Sequence, residues 1–151
     1  MARFNHILVP VDFELPSQEA LDVAVDLALA FDARLTLMHA WDIPTFAYAG
    51  SNSFMTADMW TPIAGAAAEQ LASTLAVLRK RLPRAESVLA QGAPAVEALA
   101  VADRVKADVI VMGTHGRRGL DRLLLGSVAE RVVRSSPVPV LTICGKGHAQ
   151  A

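Results

Sequence analysis

The residues best suited to chemistry lie in one loop, Gly113-Thr-His-Gly116-Arg-Arg-Gly-Leu-Asp-Arg-Leu-Leu-Leu-Gly126-Ser127, where glycines spaced G-x2-G-x9-G are followed by a serine. Glycine lets a backbone come close to a phosphate and adopt positive φ. A helix starting at Ser127 turns its first amides and its positive dipole end toward an anion. A plainer reading stands beside this one. Ser127-Val-Ala-Glu130 has the spacing of a capping box, and Gly113 falls where a strand would turn. The two uses of Ser127 are compatible, since its hydroxyl can cap while its amide points outward. His115, Arg117, Arg118 and Arg122 add positive charge to the same loop. They are either a solvated surface or a source of one or two guanidiniums for terminal phosphates.

Other chemistries find no motif. There is no G-x4-G-K-S/T phosphate loop, no G-x-G-x-x-G dinucleotide fingerprint and no G-x-S-x-G nucleophile elbow. A phospho-receiver of similar topology would carry an aspartate at the end of the third strand, where Gln91 stands. No cysteine and histidine cluster has metal-ligand spacing, and His6 and His148 have no neighbours that suggest a metal. His39 reads as a satisfied core residue. Asp12 ends a strand, where an acidic residue usually serves a turn or a cap. In an open α/β sheet, however, ligands bind beyond the strand ends at the point where strand order reverses.

These residues need elements to position them, and the chain alternates short apolar runs with longer amphipathic ones. Strands are expected at Ile7–Phe13, Arg34–Trp41, Ser87–Gln91, Asp108–Met112 and Val138–Ile143. Between them, Ser17 is a candidate N-cap for a helix bearing Leu21, Val25 and Leu29. Further helices are expected from about Ala64 to Leu82, Ala95 to Val105 and Ser127 to Ser135. Five strands alternating with four helices imply a doubly wound, open parallel sheet with helices on both faces, in strand order 3-2-1-4-5. Pro10 cannot donate to a ladder, so it marks a bulge or a strand end. Residues 42–62 carry Phe46, Tyr48, Phe54, Met55, Met59 and Trp60 without periodicity. They read as a surface loop whose aromatics pack onto the domain, or as a lid or partner-binding segment.

A chain of 151 residues fits one domain, with a core over about 5–143 and a frayed tail at 144–151. Net charge is −1, which offers no global attraction to nucleic acid or an anionic membrane. The lone Cys144 agrees with a reducing compartment. The first twelve residues do not read as a signal peptide, no stretch is apolar enough for a membrane helix, and the expected location is the cytoplasm.

The glycine pattern, together with Ile7-Leu-Val-Pro-Val-Asp12 near the start and Pro137-Val-Pro-Val-Leu141 near the end, resembles the ATP-binding branch of the universal stress proteins, a Rossmann-like fold of the adenine nucleotide alpha hydrolase kind. Leu37-Met-His-Ala40 and Gln91-Gly-Ala-Pro94 extend the resemblance over about 5–143. It implies ATP, with Mg²⁺, as the ligand. Pro10, Val11, Asp12 and Ala40 would line the adenosine half, with Asp12 reaching the ribose hydroxyls or a phosphate-bound metal and the backbone near Ala40 reading the adenine edge. Met112, Gly113 and Gly116 would form the near wall, while Gly126, Ser127 and Val128 hold the phosphates; of the loop's arginines, Arg117 is the one counted with the nucleotide-binding residues. Two departures bear on this: Ala40 stands where relatives often have valine, and Ala129 where some have a second hydroxyl. The resemblance also implies a homodimer through Val138–Ile143, an apolar edge strand. The function expected is a nucleotide-dependent module of the stress response that a protein partner reads. A slow ATPase or self-phosphorylating protein, and a nucleotide-free interaction dimer, are the alternatives.

Overall fold

The computed structural model describes residues 3–42, 57–114 and 125–145. Five parallel strands, β1 (His6–Pro10), β2 (Arg34–Trp41), β3 (Glu86–Gln91), β4 (Val109–Gly113) and β5 (Val140–Ile143), form one sheet in the order β3-β2-β1-β4-β5. The helices are α1 (Leu15–Phe31), α2 (Ala57–Leu78), α3 (Pro94–Val105) and α4 (Ser127–Ser135). This is the expected doubly wound α/β sheet.

The period of two in the strands separates two apolar layers. Ile7, Val9, Leu35, Leu37, Val109 and Val111 pack with α1 and α2, whereas Leu8, Met38, Ile110 and Met112 pack with α3 and α4. Helix α1 faces the sheet through Ala20, Ala24 and Ala28, all buried, with Val25 beside them. The expected stripe of Leu21, Val25 and Leu29 is therefore displaced by one position, and Leu29 is exposed. Alanine at every fourth residue lets the helix lie close over the central strands, which a leucine stripe would prevent.

Several boundaries differ from expectation, each for a local reason. Strand β1 stops at Pro10, whose missing N–H marks the strand end, and Phe13, inside the expected span, takes a left-handed conformation at φ 66°. Ser17 is not the N-cap of α1. That position belongs to Glu14, and Pro16 occupies the first turn, where its missing N–H costs nothing. Helix α2 begins at Ala57, seven residues before the expected start, with Pro62 inside it. Proline costs a helix one hydrogen bond and strains the carbonyl four residues back, but Pro62 lies on an exposed turn. The same helix ends at Leu78, so Arg79-Lys-Arg81 lies beyond it. Residues 57–62 of the expected loop are thus helical, with Met59 exposed and Trp60 half-buried. Phe46, Tyr48, Phe54 and Met55 lie outside the described residues, as does the tail from 146. Strand β5 starts at Val140, two residues late, after Pro137 and Pro139.

At the other end of the sheet from the strand C-termini, His6 is buried and its Nε2 lies 2.7 Å from Thr36 Oγ1. Burial, reinforced by the Arg34 charge, pushes its pKa below the ordinary value of 6.5. The folded state therefore prefers neutral His6. The stability it contributes is complete above pH 6.5 and is lost as the pH falls below that value, because the unfolded chain takes up the proton first. Thermal melting from pH 7 to pH 5 should show a decline that is shallower in His6→Leu. Equal slopes in the two proteins would refute this.

Candidate functional site

Strands β1 and β4 are neighbours whose crossovers run in opposite directions, so the sheet order reverses between them. Pairing stops at Leu8↔Ile110, although β1 continues to Pro10 and β4 to Gly113. A cavity of about 170 Å³ opens above this gap. It is lined by Pro10, Val11 and Asp12 from the end of β1, Ala40 from β2, Met112 and Gly113 from β4, and Gly126, Ser127 and Val128 at the start of α4. Nine of the residues singled out in the sequence thus surround one cavity. Gly116 and Arg117, with His115, Arg118 and Arg122, lie outside the described residues.

Helix α4 supplies the polar end. Gly126 is its N-cap, at φ −60° and ψ 157°, and makes no side-chain cap. Its N–H donates to the Thr114 carbonyl (2.6 Å), and its own carbonyl accepts the first helical bond from Glu130 N–H (2.9 Å). Ser127, Val128 and Ala129 therefore carry first-turn N–H groups that no carbonyl of the helix can reach, and all three line the cavity. The capping-box reading of Ser127 is corrected, because the serine is one position too far along to cap. Gly126, with its own amide taken, does not need positive φ.

Gly113 has a packing role. A Cβ there would lie 2.9 Å from the Pro16 carbonyl carbon and 3.0 Å from its oxygen, so the glycine lets the first turn of α1 seat against β4.

Opposite α4, Asp12 is half-buried. Its Oδ1 accepts from Glu14 N–H (3.0 Å) and from Ser17 Oγ–H (2.8 Å). The first bond is an Asx turn, so the turn reading of Asp12 holds locally while the residue also lines the cavity. Sequence reasoning missed Ser17, Met38, His39, Pro94 and Thr114, which line the same cavity. The signal for Thr114 was its place directly after Gly113; Ser17 had none, since it reaches the site through its bond to Asp12. His39 is a satisfied residue as expected, with Nδ1 2.7 Å from the Val11 carbonyl, but it stands at the cavity wall, half-buried. Among the described residues no group of three or more His, Cys, Asp or Glu is placed to hold a metal ion. No helix among them is long and apolar enough to cross a membrane.

The profile of the universal stress protein family matches residues 3–143. A universal stress protein of Methanocaldococcus jannaschii is 33% identical over 144 residues, spanning 93% of this chain and 82% of that protein. Among solved structures, the universal stress protein UspA of Lactobacillus plantarum aligns at 25% identity with a TM-score of 0.71, covering 95% of this chain and 99% of that one. A universal stress protein in complex with cAMP aligns at 26% identity with a TM-score of 0.62, over 95% of this chain and 99% of that one.

Proposed function

We propose, from the premise that this chain belongs to the universal stress protein family, that it is an adenine-nucleotide-binding module whose occupancy a protein partner reads in the stress response. One observation carries the reading: a single cavity at the sheet's switch point is lined both by the first turn of α4, whose amides have no helical acceptor, and by Asp12. Amides with no helical acceptor suit phosphate oxygens, and a carboxylate suits ribose hydroxyls or a phosphate-bound cation. The backbone at Ala40 is left to read the base edge. ATP with Mg²⁺ is the ligand we assign. Asp12, with the phosphates themselves, would hold the metal. The cytoplasm is the location we assign.

A second reading has its own support. A relative was crystallised with cAMP, and about 170 Å³ is below the roughly 300–1,000 Å³ of sites that enclose drug-sized ligands. A cyclic adenine monophosphate, smaller than ATP, is that second reading.

The test is nucleotide extraction from purified protein, followed by calorimetric titration with ATP, GTP and cAMP. ATP should bind at least about tenfold more tightly than GTP, since the two bases present opposite donors and acceptors at their Watson–Crick edges. Equal affinity for ATP and GTP would remove the base assignment, and tighter binding of cAMP would favour the second reading. Turnover of labelled ATP would make the protein a slow ATPase.

A further inference from the structure

We propose that His39 is a positioning residue of the nucleotide site, fixing the β1–α1 loop so that Asp12 is presented to the ligand. The inference rests on the reading of the cavity as a nucleotide site. Strand β2 grips this loop twice. Met38 accepts from Val11 N–H through its carbonyl (2.8 Å), and the His39 ring then meets the Val11 carbonyl at 2.7 Å through Nδ1. A carbonyl can only accept, so Nδ1 carries the hydrogen and donates. The other face of the contact is Phe13, whose ring lies 4.5 Å from the imidazole at a tilt of 45°. Phe13 is in the left-handed region at φ 66°, a conformation a bulky residue holds only when its surroundings impose it.

Asp12 is the one residue between Val11 and Phe13, so His39 holds the chain immediately before it and immediately after it. The carboxylate is then trimmed locally by Ser17 Oγ and Glu14 N–H. A core histidine with no part in binding would have no reason to stand at the cavity wall with a hydrogen bond and a ring contact on the ligand-bearing loop. Strained backbone of this kind gathers at binding sites, where the rest of the fold keeps a side chain preset.

The experiment compares ATP with 2′,3′-dideoxy-ATP, which lacks the hydroxyls Asp12 would engage, by calorimetry on wild type, Asp12→Asn, His39→Phe, His39→Asn and the Asp12→Asn/His39→Phe double variant. His39→Phe keeps a ring against Phe13 and removes the donor, whereas His39→Asn keeps a donor near the place of Nδ1. Wild type should prefer ATP by about tenfold, the loss expected for one charge-assisted hydrogen bond. Asp12→Asn and His39→Phe should each abolish that preference, His39→Asn should retain most of it, and the double variant should be no worse than Asp12→Asn alone. Melting each protein without ligand separates loss of fold from loss of preference. Should His39→Phe not fold, loss of the preference in a folded His39→Asn would overturn the proposal. A folded His39→Phe that keeps the preference, or losses that multiply in the double variant, would also overturn it while leaving the nucleotide site standing. A wild type that binds no adenine nucleotide would instead remove the site and the positioning role together.

Discussion

Replacing Gly126 by valine should lower ATP affinity by about tenfold or far more, while the ligand-free protein keeps its fold. At φ −60° and ψ 157° the position is open to any L-residue, so no left-handed strain accompanies the change. Its N–H can still donate to the Thr114 carbonyl. A worse helix N-cap costs about 0.5–1 kcal/mol, which in a chain of this size moves the melting point by roughly 1–4 °C. The ligand meets a different situation. A branched side chain now stands on the cavity wall beside the amides of Ser127 and Val128. Each charge-assisted phosphate bond lost costs roughly 1.5–3 kcal/mol. ATP at about a hundred times its dissociation constant should stabilise the wild type by ~2.7 kcal/mol, a gain the variant should nearly lack. A Gly126→Val protein that binds ATP as well as the wild type would place the site elsewhere.

We propose a homodimer through β5, which Leu141→Lys should convert into monomers. Both β3 and β5 are sheet edges, but they are not alike. Strand β3 begins with Glu86, exposed and paired with Arg34 at 3.6 Å, and charge on an edge discourages further pairing. Strand β5, Val-Leu-Thr-Ile, carries no charge. Val140 packs into the layer under α3 and α4, so a charge there would attack the fold. Leu141 is 39% exposed and can take a lysine without burying it. Sedimentation at micromolar concentration should show a wild-type dimer and a folded monomeric variant. A wild type that sediments as a monomer would end the proposal.

The sheet was legible because short apolar runs alternate with amphipathic stretches, and β4, apolar throughout and buried, leaves little else to be. The strand ends of the cavity followed from that order, through Asp12 and Gly113. What stayed hidden depended on contacts between elements. Nothing local says that Ser17 bonds back to Asp12 instead of capping α1, nor that β4 needs Gly113 to admit the backbone of Pro16. The buried stripe of α1 was misplaced because leucine outweighs alanine in an apolar periodicity, while the sheet selected the smaller residue for close approach. Pro62 likewise reads as a helix boundary until its exposure is known. His39 looked like core, since a strand sequence does not say which of its residues lies at the rim.

The ladder between β1 and β4 joins only two Cα pairs, against five between β1 and β2 and six between β2 and β3. It is also the seam between the two halves of the fold, and the cavity sits where it runs out. A molecule held by the loop after β1 on one side and by α4 on the other would act as a rivet across that seam. Its effect would then exceed occupancy: it would lengthen the lifetime of the folded state, because opening the seam would first require the ligand to leave. Amide hydrogens along β1 and β4 would exchange more slowly in the complex, with little change in the outer half of β3. The nucleotide would then set how long each molecule survives, as well as which surface it shows.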